Sequence, residues 1–176
     1  MPSSDSDNIL SVTDLHSHYG EQHVLDGVTF SVRKGEIVVI MGASGSGKTT
    51  VLKNVIRLLT PTSGSIRLLE NEMTEVEEEN LESVLRNVGV MYQHGALLNS
   101  MCVGENVALP LEMHTKMSAR LRRDVSELKL RQVELVDVYH KFPKELSGGM
   151  QKRAAVARAM VMDLAAIFCD EPSAGL

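Results

Sequence analysis

The sequence predicts a mainly parallel, three-layer α/β fold, and three observations predict it. Segments with strand character alternate with segments of helical periodicity along most of the chain. Residues 36–41 form a continuous apolar run, which is typical of a strand buried on both faces of a parallel sheet. The glycine-rich residues 42–50 come next and lead into a helical pattern, so strand, loop and helix follow one another directly.

The length, net charge and composition of the chain limit the classes of function. A chain of 176 residues suffices for one domain with its own core. A net charge of −5 and 3% aromatic residues give no sign of a nucleic-acid-binding surface. No apolar run approaches the roughly 20 residues that cross a bilayer, and residues 1–8 lack the features of a signal peptide. We therefore expect a reduced, cytosolic protein, with Cys169 as a small buried hydrophobic residue.

In the first half of the chain we expect a tail, three short strands and an acidic helix. Residues 1–8 are predicted to be mobile, and residues 9–12, 28–32 and 65–69 have strand character. Five glutamates between residues 75 and 82 could suggest a metal or acid–base site. A solvated helix face is the better interpretation, because no histidine or turn nearby would bring the carboxylates together.

In the second half, residues 88–92 predict a buried strand that ends at Gln93. A helix is expected from about Ser118, and a second, alanine-rich helix runs to about residue 162. On the first of these, the spacing predicts one apolar stripe that packs on the core, formed by Leu121, Val125, Leu128 and Leu135. Residues 165–169 predict a last strand.

The glycine-rich loop is the strongest functional signal. Its glycines let consecutive backbone N–H groups and the positive end of a helix dipole face a phosphate. Lys48 adds a charge for the terminal phosphates, and the Thr49 hydroxyl can bind Mg²⁺. A glycine turn without a ligand is the alternative, but the strand before it and the helix after it disfavour that interpretation. The loop therefore predicts nucleotide binding.

Three further features fit phosphate chemistry. Asp170 and Glu171 follow an apolar strand, where α/β sheets bind ligands, so one carboxylate could hold Mg²⁺ and the other orient a water; a simple turn cap is the alternative. Residues 147–149 could form a second anion site at a helix start, or only a helix cap. Tyr19 could be a plain strand residue, or its ring could stack on a purine.

Together these motifs resemble the nucleotide-binding subunit of an ATP-binding-cassette transporter. In family order they are the Walker A loop at residues 42–50, the Q-loop glutamine Gln93, the signature at residues 146–150 and Walker B at residues 167–171. The resemblance runs from about residue 9 to the last residue. It implies a P-loop NTPase (RecA-like) fold for residues 9–176, with an N-terminal antiparallel β subdomain and an α-helical subdomain inserted at roughly residues 94–150.

The resemblance also implies a role for each matched residue. The ATP-binding residues would be Tyr19, Gly42, Ala43, Ser44, Gly45, Ser46, Gly47, Lys48, Thr49 and Thr50. The signature residues would contact the ATP of a partner chain, and they are Ser147, Gly148, Gly149 and Met150. The Mg²⁺ ligands would be Thr49, Gln93 and Asp170, and the catalytic residues Glu171 and Gln93.

The implied assembly is a homodimer that sandwiches two ATP molecules and binds integral membrane permease subunits at the cytoplasmic face of the membrane. A narrower likeness, to the ATPase subunits of Mla/Mce-type lipid transporters, is carried by residues 93–98, residues 105–111 with His114 and Thr115, and the signature with Arg153. It implies phospholipid transport across a bacterial envelope, with an Mce-type substrate-binding protein as a further partner.

The sequence also departs from the family pattern. Met150 replaces the commonest glutamine, and Glu70 and Asn71 stand where a glycine turn is usual. The chain ends in the loop after Walker B, ahead of the family's aspartate and histidine, so we expect a C-terminally truncated cassette of low stability. The alternatives are a cassette that binds ATP without hydrolysing it, and an ATPase of another transporter class. A translation or repair cassette is disfavoured, because roughly 50 residues between Gln93 and the signature leave no room for a long coiled coil.

Overall fold

The computed structural model describes residues 7–20, 22–93 and 95–172. The chain divides into two compact units, Met1–Leu85 and Arg86–Leu176. The first unit contains β1 (Asn8–Tyr19), β2 (Gln22–Arg33), α1 (Lys48–Val55), β3 (Ser63–Leu68), β4 (Asn71–Glu72) and α2 (Glu78–Leu85). The second contains β5 (Val88–Met91), α3 (Val103–His114), α4 (Ala119–Gln132), a 3-10 turn (Pro143–Glu145), α5 (Gly148–Met160) and β6 (Ala166–Cys169).

The first unit is built on a four-stranded antiparallel sheet with strand order β2-β1-β3-β4. The register places Val12 opposite both Phe30 and Ile66, and the side chains of Val12, Leu15 and Ile66 are fully buried. Long strands with one buried and one solvated face are typical of antiparallel sheets. This sheet confirms the expected N-terminal antiparallel β subdomain.

In this unit, the observed bounds of three strands differ from the predicted bounds. The strands expected at residues 9–12 and 28–32 are parts of the longer β1 and β2, and the strand expected at residues 65–69 is β3. Asn8 already pairs with Arg33, so β1 begins within the residues assigned to the tail; residues 1–6 lie outside the described residues. The acidic helix is α2, where Val84 is buried and Glu78 and Glu79 are exposed, as expected for a solvated face.

The strand predicted at residues 36–41 is wrong for this structure. These residues have no regular secondary structure, and the side chains of Ile37 and Met41 are 91% and 87% exposed. A strand needs a neighbour that accepts its backbone hydrogen bonds, and no described strand pairs with this segment. Apolar character alone therefore does not make a strand here.

The second unit combines a parallel strand pair with packed helices. β5 pairs with β6 from Val88 opposite Ala166 to Met91 opposite Cys169, which is the parallel pairing found among the described strands. Helices α3, α4 and α5 share an apolar core that includes Val107, Leu130 and Ala154. The helices of the described residues include none long and apolar enough to cross a membrane.

One side-chain prediction in this unit is partly wrong and another is wrong. Val125 and Leu135 of the predicted stripe pack on the core, but Leu121 and Leu128 are 47% and 55% exposed, and Ser126, Lys129 and Leu130 of α4 face inward. Polar groups can occupy that face because each finds a partner: Ser126 Oγ donates to the Arg122 carbonyl at 2.8 Å, and Lys129 pairs with Asp163. Cys169 is exposed, on the same open face of β6 as Ile167.

Candidate nucleotide-binding site

The glycine-rich loop of the first unit precedes α1 and is largely open to solvent. Residues 42–46 are exposed, Gly47 is buried, and Lys48 and Thr49 are half-buried. Gly45 and Gly47 have φ values of 81° and 90°, in the left-handed region that glycine adopts readily. The backbone thus turns twice before the helix starts.

Gly47 is required by space as well as by conformation. A Cβ placed on Gly47 would lie 2.7 Å from Leu25 Cδ2 and 3.1 Å from the Val24 carbonyl oxygen, so the loop passes directly against β2. The side chain of Leu25 is itself buried. The C-terminal end of the loop is therefore anchored on the sheet while its other residues face outward.

The start of α1 carries backbone donors without a side-chain cap. Its N-cap is Gly47, which makes no side-chain hydrogen bond to the helix. The first N–H groups of a helix have no intrahelical acceptor, and the helix dipole adds partial positive charge at this end. This end of α1 therefore has the chemistry of an anion-binding site.

Lys48 folds back over the loop. Its Nζ donates to the carbonyl oxygens of Gly42 at 3.0 Å and Ala43 at 2.8 Å. Carbonyl oxygens carry no net charge, so the ammonium is positioned without being neutralised. An added Cβ on Gly42 would lie 2.5 Å from Ser46 Oγ, so a side chain there would require the Ser46 side chain to move. A triphosphate tail fits this combination of cradle, uncapped helix and fixed cation.

Two of the predicted ATP-binding residues, Thr50 and Tyr19, differ from the rest of the set. Thr50 is buried, and its carbonyl accepts a hydrogen bond from Asn54 Nδ2 at 2.7 Å, which is a structural contact inside α1. The backbone of Tyr19 ends β1 opposite Gln22. The side chain of Tyr19 lies outside the described part of the chain, so its stacking role stays a prediction.

In the second unit, the structure brings the two predicted catalytic residues into contact. Parallel pairing of β5 and β6 continues through a hydrogen bond of 2.9 Å from the Asp170 N–H to the Met91 carbonyl. Gln93 and Glu171 follow these neighbouring strand ends, and Gln93 Nε2 donates to Glu171 Oε2 at 2.5 Å. The sequence pattern placed both residues after strands, and the register of the strands makes them meet.

Glu171 is held in an uncommon backbone conformation. Its φ is 50°, which is rare for a residue with a side chain, and Lys152 Nζ of α5 donates to its carbonyl at 3.2 Å. Asp170, one residue earlier, is buried. The two acidic residues therefore differ in exposure, although they are adjacent in sequence.

Arg158 contacts the turn after Gln93, and sequence reasoning missed this contact. Its NH1 and NH2 groups donate to the carbonyls of Ala96 and Gly95, each at 2.8 Å. Both residues have left-handed φ values, 46° and 72°, so the guanidinium secures an unusual turn shortly after Gln93. Burial lowers the pKa of Arg158. The available signal was an arginine on α5 between the buried residues Ala157 and Ala159.

The signature segment begins α5 as a capped helix. Ser147 is the N-cap with φ −64° and ψ 160°, and its Oγ accepts from the Met150 N–H at 3.3 Å. Ser147 and Gly148 are exposed, Gly149 and Met150 are half-buried, and an added Cβ on Gly148 would meet nothing within 4 Å. The expected helix cap is confirmed, and its surroundings are open.

For Mg²⁺, the types of donor atom on the three predicted ligands fit. Hydroxyl, amide and carboxylate oxygens of Thr49, Gln93 and Asp170 are ligands that a hard cation prefers. Within residues 7–20, 22–93 and 95–172, no group of three or more His, Cys, Asp or Glu residues is arranged to hold a metal ion. A Mg²⁺ ion bound with phosphates needs few protein ligands, so the assignment of these three residues stays a prediction.

Known proteins share both the sequence and the fold. The chain is 41% identical over 167 residues to the "Probable ribonucleotide transport ATP-binding protein mkl" of Mycobacterium leprae (strain TN), which covers 95% of this chain and 48% of that protein. It is 37% identical over 180 residues to "Protein TRIGALACTOSYLDIACYLGLYCEROL 3, chloroplastic" of Arabidopsis thaliana, covering 98% and 52%. The chain thus spans about half the length of these curated relatives.

A solved structure has the same fold as this chain. The dimeric post-hydrolysis state of the ATP-binding cassette MJ0796, bound to ADP and Pi, superimposes with a TM-score of 0.87 at 31% identity, covering 95% of this chain and 75% of that chain. The fold is therefore that of a P-loop NTPase cassette. The ABC transporter family model matches residues 25–174. This chain belongs to the ABC transporter family.

Proposed function

We propose that the chain is the ATP-binding and ATP-hydrolysing subunit of an ABC transporter. The observation that carries the proposal is the start of α1, where an uncapped helix end, two left-handed glycines and the fixed Lys48 ammonium form one cradle. Backbone donors and a lysine are the groups that P-loop proteins use for the phosphates of a nucleotide. The family match supports this assignment.

The chemistry follows from positioning and charge. Phosphoryl transfer needs little covalent assistance, so the protein mainly holds the phosphates, neutralises developing charge and orients the attacking water. In our proposal Lys48 neutralises terminal phosphate charge, and Glu171 orients and deprotonates the water. Bound Mg²⁺ would supply further charge neutralisation at the phosphates.

The contact between Gln93 and Glu171 has a defined place in this scheme. At 2.5 Å, the Gln93 amide satisfies one carboxylate oxygen of Glu171, and the Glu171 backbone is restrained through its carbonyl by Lys152. The carboxylate must release the amide before that oxygen can bind a water. We therefore assign to Gln93 the role of holding Glu171 when no nucleotide is bound.

We further propose a homodimer that works with membrane permease subunits. The open N-terminus of α5 has exposed groups suited to a phosphate that a second chain presents, and the related MJ0796 cassette is dimeric in its structure. Closure on ATP and reopening after hydrolysis would be the two-state change that drives the permease. The permease would hold the chain at the cytoplasmic face of the membrane.

For the transported substrate we propose a phospholipid or related lipid, as in Mla/Mce-type systems. Residues after Gln93 and around the signature support this, as does the Arabidopsis relative, which is named for a galactolipid. An Mce-type substrate-binding protein would then be a partner. Ribonucleotide transport is a second candidate, favoured by the name of the mycobacterial relative.

Phosphate release from Mg-ATP tests the enzymatic proposal. We expect steady release by the protein together with its permease, and the Glu171→Gln variant serves as the matched control for contaminating ATPases. Binding of ATP without any release would instead support the cassette that does not hydrolyse ATP. In vesicles, stimulation by phospholipid rather than by ribonucleotides supports lipid transport. Genes for a permease and an Mce-type protein beside the coding sequence would support the same assignment.

A further inference from the structure

Two histidines face one another across the hairpin of β1 and β2. His18 and His23 are directly opposite in the antiparallel register, and their Nε2 atoms lie 2.9 Å apart. The ring centroids are 3.8 Å apart, and the ring planes meet at 62°. The rings thus meet edge to face, and one Nε2 can donate a hydrogen bond to the other. At this separation both Nε2 atoms can also bind one ion, which would replace that hydrogen bond.

Thr62 orients one of these rings. The Nδ1 atom of His18 lies 2.8 Å from Thr62 Oγ1, and the Thr62 N–H donates to the His16 carbonyl at 2.8 Å, which fixes Thr62 beside β1. Histidines that bind metals usually donate their other ring N–H to an oxygen, which leaves the first nitrogen with a free lone pair. A proton on Nδ1 shared with Thr62 gives His18 this tautomer, with Nε2 as the ligand atom.

From this arrangement we propose that His18 and His23 form a binding site for a divalent transition-metal ion of the Zn²⁺, Ni²⁺ or Cu²⁺ class. Neutral imidazole nitrogens suit these ions, whereas Mg²⁺ prefers oxygen ligands, so the site is distinct in chemistry from any Mg²⁺ bound with ATP. His23 is exposed and His18 half-buried, so an ion reaches both rings from solvent. Two protein ligands leave the remaining positions to water.

Neighbouring carboxylates favour a cation at this hairpin. His16, two residues before His18, has Asp14 at 3.1 Å from Nε2 and Asp26 at 3.2 Å from Nδ1. Both nitrogens of His16 are thus engaged, and we do not count it as a ligand. The two exposed carboxylates add negative potential to the same strands.

The site would brace the strands that support the glycine-rich loop. Ser17, next to His18, accepts a hydrogen bond of 3.2 Å from Asn54 of α1, and Leu25, two residues after His23, packs against Gly47. An ion shared by His18 and His23 ties β1 to β2 beside both contacts. Metal binding should therefore raise the melting temperature of the chain.

Titration of the nucleotide-free chain with Zn²⁺ alone tests the proposal. We expect one bound ion per chain, with the affinity reduced at least tenfold in His18→Gln and in His23→Gln. Thr62→Val, which removes the partner of Nδ1, should weaken binding by roughly tenfold or more. His114→Gln is the matched control, because His114 is an exposed histidine at the end of α3, and it should bind as the parent does.

Two outcomes would overturn the site. One is undetectable Zn²⁺ binding at millimolar concentration, and the other is binding that survives both histidine substitutions. If His18→Gln perturbs folding, as judged by circular dichroism, the exposed His23 decides the question through His23→Gln. Electron paramagnetic resonance with Cu²⁺ gives a separate readout: couplings from two imidazole nitrogens are expected, and their absence would contradict the geometry.

Discussion

Two helices in this chain begin at glycine-rich segments, but the two helix ends differ. At the start of α1, Gly47 provides no side-chain cap, and Lys48 lies across the loop with its charge intact. At the start of α5, Ser147 caps the helix through a hydrogen bond to the Met150 N–H. The helix dipole is common to both, so the difference lies in the side chains.

The comparison separates binding from turnover. A fixed cation beside the start of a helix can add a charge-assisted contact to a phosphate, whereas at the start of α5 the Ser147 hydroxyl already accepts one of the first N–H groups. The contact between Gln93 and Glu171 belongs to the same unit as α5. Substitutions in the glycine-rich loop before α1 should therefore change the Kd for ATP, and substitutions at Glu171 and at the start of α5 should change kcat.

The largest effect is expected for Glu171→Gln. Loss of the general base should lower kcat by about 10²- to 10⁴-fold, while the Kd for ATP stays close to that of the parent. Phosphate release and equilibrium binding of ATP measure the two quantities separately. A large rise in the Kd for ATP, or turnover at the parental rate, would contradict the separation of ATP binding from turnover.

Next comes Gly47→Ala. The left-handed φ costs about 1–2 kcal/mol for alanine, and the added Cβ would lie 2.7 Å from Leu25, so we expect the Kd for ATP to rise by about 10- to 100-fold. Gly45→Ala is the matched control. Its φ of 81° carries the same strain, but nothing lies within 4 Å of the added Cβ, so its effect should be smaller. An equal rise in the Kd for ATP in both variants would exclude the contact with Leu25 as a cause.

Arg158→Lys should have an intermediate effect. Lysine cannot donate to the carbonyls of Gly95 and Ala96 as a planar fork, so the turn after Gln93 should loosen and kcat should fall by about tenfold with an unchanged KM. Arg153→Lys is the control on the same helix, since Arg153 donates to the carbonyls of Val133 and Glu134. If Arg158 contributes only to stability, Arg158→Lys and Arg153→Lys should lower kcat by similar factors.

Ser147→Ala should have the smallest effect. Removal of an N-cap costs about 0.5–2 kcal/mol of helix stability, and we expect a reduction in kcat of severalfold. Ser118 caps α4 with the same geometry, a 3.3 Å bond from the Leu121 N–H, so Ser118→Ala should cost similar stability. Urea unfolding and ATPase assays together distinguish the two serines: only Ser147→Ala should slow turnover.

The position of the glycine-rich loop at the start of a helix could be predicted from the sequence, because glycine permits the left-handed turns that precede α1. The loop before α1, the Ser147 cap and the acidic residues after β6 all lie at or within a few residues of their predicted positions. The contact between Gln93 and Glu171 depends on which strands pair, and the sequence did not predict it.

Other features depend on partners that periodicity does not show. Residues 36–41 have the pattern of a buried strand, yet no described strand pairs with them. On α4, Lys129 and Ser126 can face inward because Asp163 and the Arg122 carbonyl accept their hydrogen bonds, whereas Leu121 and Leu128 are exposed. Arg158 acts on carbonyls about 60 residues earlier in the chain, a contact that only the folded chain reveals.

The most direct test of the central claim is the affinity of the Lys48→Ala variant for ATP. Loss of a charge-assisted contact worth about 1.5–3 kcal/mol predicts a Kd raised by roughly 10- to 100-fold, measured by isothermal titration calorimetry. Lys53→Ala, in the last turn of the same helix, is the control and should bind ATP as the parent does. An unchanged Kd for Lys48→Ala would contradict the assignment of this loop as the phosphate-binding site.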